Sequence, residues 1–159
     1  GAGFPGLPLH IVVDGLDSTL IESTGKKTAF LTHMIEVLGL PRVLALNARA
    51  EDAGHLPHQR ETYDVVVARA VARLPILLEY LLPLAKVGGV CVAMKGVTAQ
   101  DELEASAGAL RELGGVSERI VEVQLPGVPE PPYLVVIRKE RQTPNAYPRK
   151  PGVPAKKPL

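Results

Sequence analysis

Tryptophan is absent from the 159 residues, and cysteine occurs once, at Cys91. A single thiol can neither close an internal disulfide nor complete a cysteine-rich metal site. His10, His33, His55 and His58 stand at no metal-ligand spacing, so no metal is expected. No apolar run approaches the ~18 to 20 residues that span a bilayer. The start of the chain shows no signal-peptide pattern. A Gly-x-Ser-x-Gly elbow and a Walker loop are both missing. These absences leave a cytoplasmic protein, without membrane or metal partners and monomeric, as the plain expectation. Its length is that of one domain.

Acidic residues are scarce at one end. Residues 138–159 hold seven bases (Arg138, Lys139, Arg141, Arg149, Lys150, Lys156 and Lys157) against the single acid Glu140, so the body before them is net acidic. A basic end on an acidic body suits a polyanionic partner met at one edge, and a solvated, mobile end is the alternative. Proline and bases dominate from Gln142 onward, which predicts an extended tail over 142–159 behind a domain of 1–141.

Apolar runs in between alternate with helical spacing. Leu7–Val13 reads as a buried helix opened by Pro5 and Pro8, and Ser18–Glu22 as a short strand. Thr24–Leu38 has helical spacing, with Ala29, Phe30, Ile35 and Leu38 apolar. Strands follow at Arg42–Leu46, Asp64–Arg69 and Val90–Gly96; Asp64–Arg69 is nearly all apolar, as burial on both faces of a parallel sheet requires. Leu74–Leu84 and Ala99–Leu113 read as helices, and Ile120–Leu125 and Leu134–Lys139 as two last strands. The alternation predicts a Rossmann-like α/β fold with a mostly parallel sheet. The final pair, with no helix between, predicts an antiparallel hairpin at its edge, the habit of class I methyltransferases.

Gly1, Gly3 and Gly6 form G-x-G-x-x-G at a helix start, a turn that lets backbone approach a ligand but is shared by many nucleotide folds. Such a turn normally follows a strand, so the N-terminus is expected to be cut. Glu22, 19 positions after Gly3 at the next strand end, is placed to accept both ribose hydroxyls. Ala50 and Glu51 fall where such folds hold the adenine, or open an ordinary helix. Arg69 and Lys95 end neighbouring strands, which suits a nearby phosphate or carboxylate, or a salt bridge to Glu51, Asp52 or Asp64. Cys91, mid-strand between valines, reads as a core residue.

The runs GAGFPGLPL, LIESTGKKTAFL, NARAED, VVVARAVARL, GGVCVAMKG and YPRKPGVPAKKPL, in this order from Gly1 to Leu159, resemble the ribosomal RNA small subunit methyltransferase G family, also called glucose-inhibited division protein B. The resemblance implies a class I fold and transfer of a methyl group from S-adenosyl-L-methionine to N7 of a guanine in 16S ribosomal RNA or the small ribosomal subunit. It implies that Gly1, Gly3 and Phe4 line the methionine side of the cofactor. Glu22, Ser23 and Thr24 would hold the ribose, Ala50 and Glu51 the adenine, and Arg69 would lie by cofactor and target base as the candidate catalytic residue. Lys95, Arg149 and Lys150 are its candidates for RNA contact. The family's first strand and N-terminal helices, which precede the glycine turn, are expected to be missing here, at the expense of cofactor affinity and stability. Two rivals stay open: a NAD-binding Rossmann oxidoreductase, and an RNA-binding fragment without catalysis.

Overall fold

A computed structural model describes every residue from Gly1 to Leu159, and the chain divides into two compact units, Gly1–Ala50 and Glu51–Leu159.

The first unit runs α1 (Gly6–Val12), β1 (Ser18–Glu22), α2 (Gly25–Val37) and β2 (Val43–Asn47). β1 and β2 pair in parallel, in register from Ser18 opposite Val43 to Glu22 opposite Asn47. A parallel pair needs a crossover, and α2 supplies it. A Cβ at Gly6 would overlap the Leu20 side chain, so a larger residue there requires Leu20 to shift. Leu7 of α1 and Leu31 of α2 are the buried apolar side chains. The apolar face expected on α2 is not the one covered. Thr28 and Leu31 are buried, whereas Ala29, Phe30 and Leu38 are exposed. Threonine serves there because its hydroxyl bonds the carbonyl oxygens of Glu22 and Thr24, both at 3.2 Å.

The second unit contains β3 (Tyr63–Arg69), α4 (Leu74–Leu81), β4 (Ala85–Lys95), α5 (Ala99–Glu104), α6 (Ala107–Leu113), β5 (Gly115–Glu122), β6 (Tyr133–Lys139) and α7 (Val153–Lys156); α3 is the single turn Ala50–Ala53. Its sheet has the order β3-β4-β6-β5. β3 and β4 are parallel, and β6 runs antiparallel to both β4 and β5, which is the expected hairpin. The strands thus make one parallel pair and one mixed sheet of four. β3 is an edge strand of its sheet, and Val65 is 56% exposed rather than covered on both faces. Leu74, Leu77, Leu78 and Leu81 bury α4 in the core.

Two further expectations are corrected. The predicted helix 99–113 is broken between α5 and α6, where Ser106 is buried and its hydroxyl bonds the Glu102 carbonyl at 2.6 Å. That local bond competes with continuation of the helix. The segment 142–159 is not an extended tail. Thr143, Pro148 and Pro154 are buried, and α7 packs against α4. Arg60 holds this segment with hydrogen bonds to the carbonyls of Thr143 at 2.7 Å and Tyr147 at 2.8 Å. Lys139, fully buried, donates to Leu82 O, Thr143 Oγ1 and Glu61 Oε1. Proline-rich composition hid this packing, because the partners lie far away in sequence.

Candidate functional site

In the first unit the glycine turn and the end of β1 come together. Gly3 has φ +86°, a left-handed conformation that glycine adopts without strain, and a Cβ there would overlap Leu7. Phe4 is 62% exposed. Glu22 Oε1 accepts the Thr24 N–H at 2.8 Å. Burial pushes the Glu22 carboxyl up, and the Thr24 N–H draws it down. Ser23 and Thr24 are exposed beside it. Asn47, at the end of β2, donates to Glu22 O at 2.9 Å and Thr28 Oγ1 at 3.0 Å, fixing the two strand ends to each other. Asn47 and Thr28 were not singled out in the sequence; a polar residue ending an apolar strand was the available signal.

The α3 residues divide differently. Ala50 is part-exposed and its neighbour Glu51 is 3% exposed. Glu51 Oε1 accepts the Gly152 N–H at 3.1 Å. The Glu51 carboxylate, expected to read an adenine edge, is therefore turned inward and engaged by the C-terminal segment.

In the second unit a cavity of about 680 Å³ opens at the carboxyl ends of β3 and β4. Exposed Arg69 stands at its edge, as the position of that residue on β3 predicts. Ala70, next to it, has φ +54°, an uncommon conformation for a residue with a Cβ and a frequent mark of binding loops. Lys95 also lines the cavity, but its ammonium is occupied. It lies 2.7 Å from Glu102 Oε2 and donates to Ala72 O at 2.7 Å. The salt bridge considered for it in sequence involved Glu51, Asp52 or Asp64; the true partner, Glu102, is on α5.

The other RNA candidates also separate. Arg149 is locked to fully buried Glu79, whereas Lys150 is exposed. Burial pushes the Cys91 thiol up to about 12, in keeping with a core residue.

The rRNA small subunit methyltransferase G family model matches residues 1–127. The chain belongs to this family. Relatives bearing the family's name match all 159 residues: 48% identity in Lactobacillus johnsonii, 51% in Acetivibrio thermocellus and 53% in a Roseiflexus species. The chain spans about two thirds of their length, 66%, 65% and 68% respectively. Among solved structures, an rRNA methylase from Streptococcus thermophilus superposes with a TM-score of 0.62 at 17% identity, over 89% of this chain and 82% of that one. A geranyl diphosphate methyltransferase solved with S-adenosylmethionine gives 0.65 at 13%, over 87% of this chain and 75% of that one. The fold is that of class I methyltransferases, as its final hairpin suggested. No helix of this family member is long and apolar enough to cross a membrane.

Proposed function

We propose that this family member works in S-adenosyl-L-methionine-dependent methylation of guanine N7 in 16S ribosomal RNA, as part of the small ribosomal subunit or its precursor. The observation that carries the reading is the Glu22 carboxylate, held by the Thr24 N–H at a strand end beside the left-handed Gly3 turn. A carboxylate has acceptor sites for a ribose diol beyond those used by Thr24, so the residues present fit the cofactor.

When bound, S-adenosylmethionine supplies a methyl group on a positively charged sulfur. Gly1, Gly3 and Phe4 are assigned to its methionine side, and Glu22, Ser23 and Thr24 to the ribose. Ala50 and Glu51 are assigned to the adenine through their backbone, since the Glu51 carboxylate bonds Gly152. The acceptor base is assigned to the cavity edged by Arg69. Guanine N7 has a free lone pair, so no side chain need remove a proton, and the reaction calls for alignment and exclusion of water rather than acid–base chemistry. A base must be unstacked or single-stranded to enter such a cavity. Domain limits of 1–141 with a basic segment 142–159, in which Lys150, Lys156 and Lys157 face solvent, belong to the same proposal.

The test is incubation with labelled S-adenosylmethionine and small-subunit rRNA, followed by nuclease digestion and mass analysis. The expected product is 7-methylguanosine. Label on an exocyclic amine or a pyrimidine carbon contradicts the N7 assignment.

A further inference from the structure

The loop joining β3 to α4, residues 70–73, follows Arg69 at the end of β3 and ends at Arg73; both cations are exposed and line the cavity. Exposed loops with a left-handed alanine have no intrinsic reason to keep one shape, and conformations of this kind persist where surrounding groups over-determine them. Here those groups converge on one side chain. Glu102 Oε2 accepts the Leu74 N–H at 2.6 Å and a hydrogen bond from Lys95 Nζ at 2.7 Å, and Oε1 accepts from Thr98 Oγ1 at 3.0 Å. Lys95 in turn donates to Ala72 O at 2.7 Å. The residues on both sides of Arg73 are thereby tied, one directly and one through Lys95, to a single carboxylate. Glu102 is 8% exposed and Leu74 fully buried, so water does not replace these bonds at little cost.

We infer that Glu102, itself part of the cavity lining, is a positioning residue, which fixes the Arg69–Leu74 loop and the Lys95 ammonium around the acceptor cavity. Its placement on α5, seven residues after Lys95, lets one ion pair tie the end of β4, the start of α4 and α5 together. Bonds from Lys95, Leu74 and Thr98 lower its pKa although burial raises it, so the carboxylate stays charged at neutral pH. The inference rests on the methyl-transfer reading only for its kinetic consequence; the loop anchoring stands by itself.

The test compares the full chain with Glu102→Gln and Glu102→Asp by two readouts. Hydrogen exchange follows the Leu74 amide, with the amides of Val135 and Ile137 as the control for global stability. Methyl transfer to small-subunit rRNA is measured alongside the affinity for S-adenosylhomocysteine. In Glu102→Gln, Leu74 is expected to exchange at least about tenfold faster while the control amides hold. Transfer is expected to fall about 10 to 100-fold, with homocysteine-adduct affinity within about twofold and partial rescue by aspartate. Unchanged Leu74 exchange in the folded glutamine variant overturns the inference. So does faster exchange with undiminished transfer, which makes Glu102 a structural residue only. If Glu102→Gln does not fold, the aspartate variant carries the comparison, and its indifference in both readouts overturns the inference too. A wild-type chain that neither binds the adduct nor transfers methyl removes the functional reading, while exchange at Leu74 still decides the anchoring.

Discussion

Arg149 closes a two-pronged ion pair on Glu79: Nη2 lies 2.6 Å from Oε2, Nε lies 2.9 Å from Oε1, and the Arg149 backbone N–H reaches the same Oε1 at 2.7 Å. Glu79 is fully buried on α4, and the Arg149 side chain is 25% exposed. The cation that charge and position in the chain made an RNA candidate neutralises a carboxylate in the core.

Removing one partner leaves the other charge unpaired. Glu79→Ala and Arg149→Ala are each expected to destabilise the second unit by about 3 to 5 kcal/mol, as for other broken buried pairs. Urea unfolding of the single and double variants checks this. The double variant should recover part of the loss, because no charge is then left buried.

Gly6 lies against Leu20, whose side chain a Cβ at Gly6 would overlap. Gly6→Ala is expected to cost about 1 to 3 kcal/mol by overpacking α1 on β1. Thermal unfolding reads the loss, and Leu20→Ala in the same chain should relieve part of it.

Arg69 is exposed, so Arg69→Ala should leave the melting temperature nearly unchanged. Its removal from the cavity edge should lower methyl transfer at least tenfold, equivalent to about 1.4 kcal/mol of transition-state stabilisation. Normal transfer by the variant would take Arg69 out of the site.

Lys150, Lys156 and Lys157 are exposed on a segment that the core holds in place. Replacing all three with alanine should weaken RNA binding and flatten its salt dependence, with each lost phosphate contact reducing the slope by about 0.7 to 0.9. Filter binding from low to moderate salt distinguishes this from an uninvolved surface.

Local signals carried much of the fold. Apolar runs of strand length placed β1 to β3 within one residue, whereas β4 begins at Ala85, five residues before the expected Val90. The reversed final pair was visible because two such runs had no helical pattern between them. The strand-end positions of Glu22 and Arg69 were legible because each is a charged residue closing an apolar run. Interactions between distant residues left no local trace. Glu79, Glu102 and Lys139 look like ordinary charges on amphipathic elements, yet each is buried against a partner or partners, some of them many residues away. The same holds for Thr143, Pro148 and Pro154, whose surroundings are proline-rich and basic but whose side chains are buried. On α2, apolar spacing named Phe30 and Leu38, whereas hydrogen bonding at the strand ends selected Thr28.

Calorimetric titration of this chain with S-adenosylhomocysteine tests the central claim most directly. The account predicts one-to-one binding that Glu22→Ala weakens at least tenfold, about 1.4 kcal/mol, with no heat of binding from NADH. Saturable NADH binding, or no binding of S-adenosylhomocysteine by the folded wild-type chain, would contradict it.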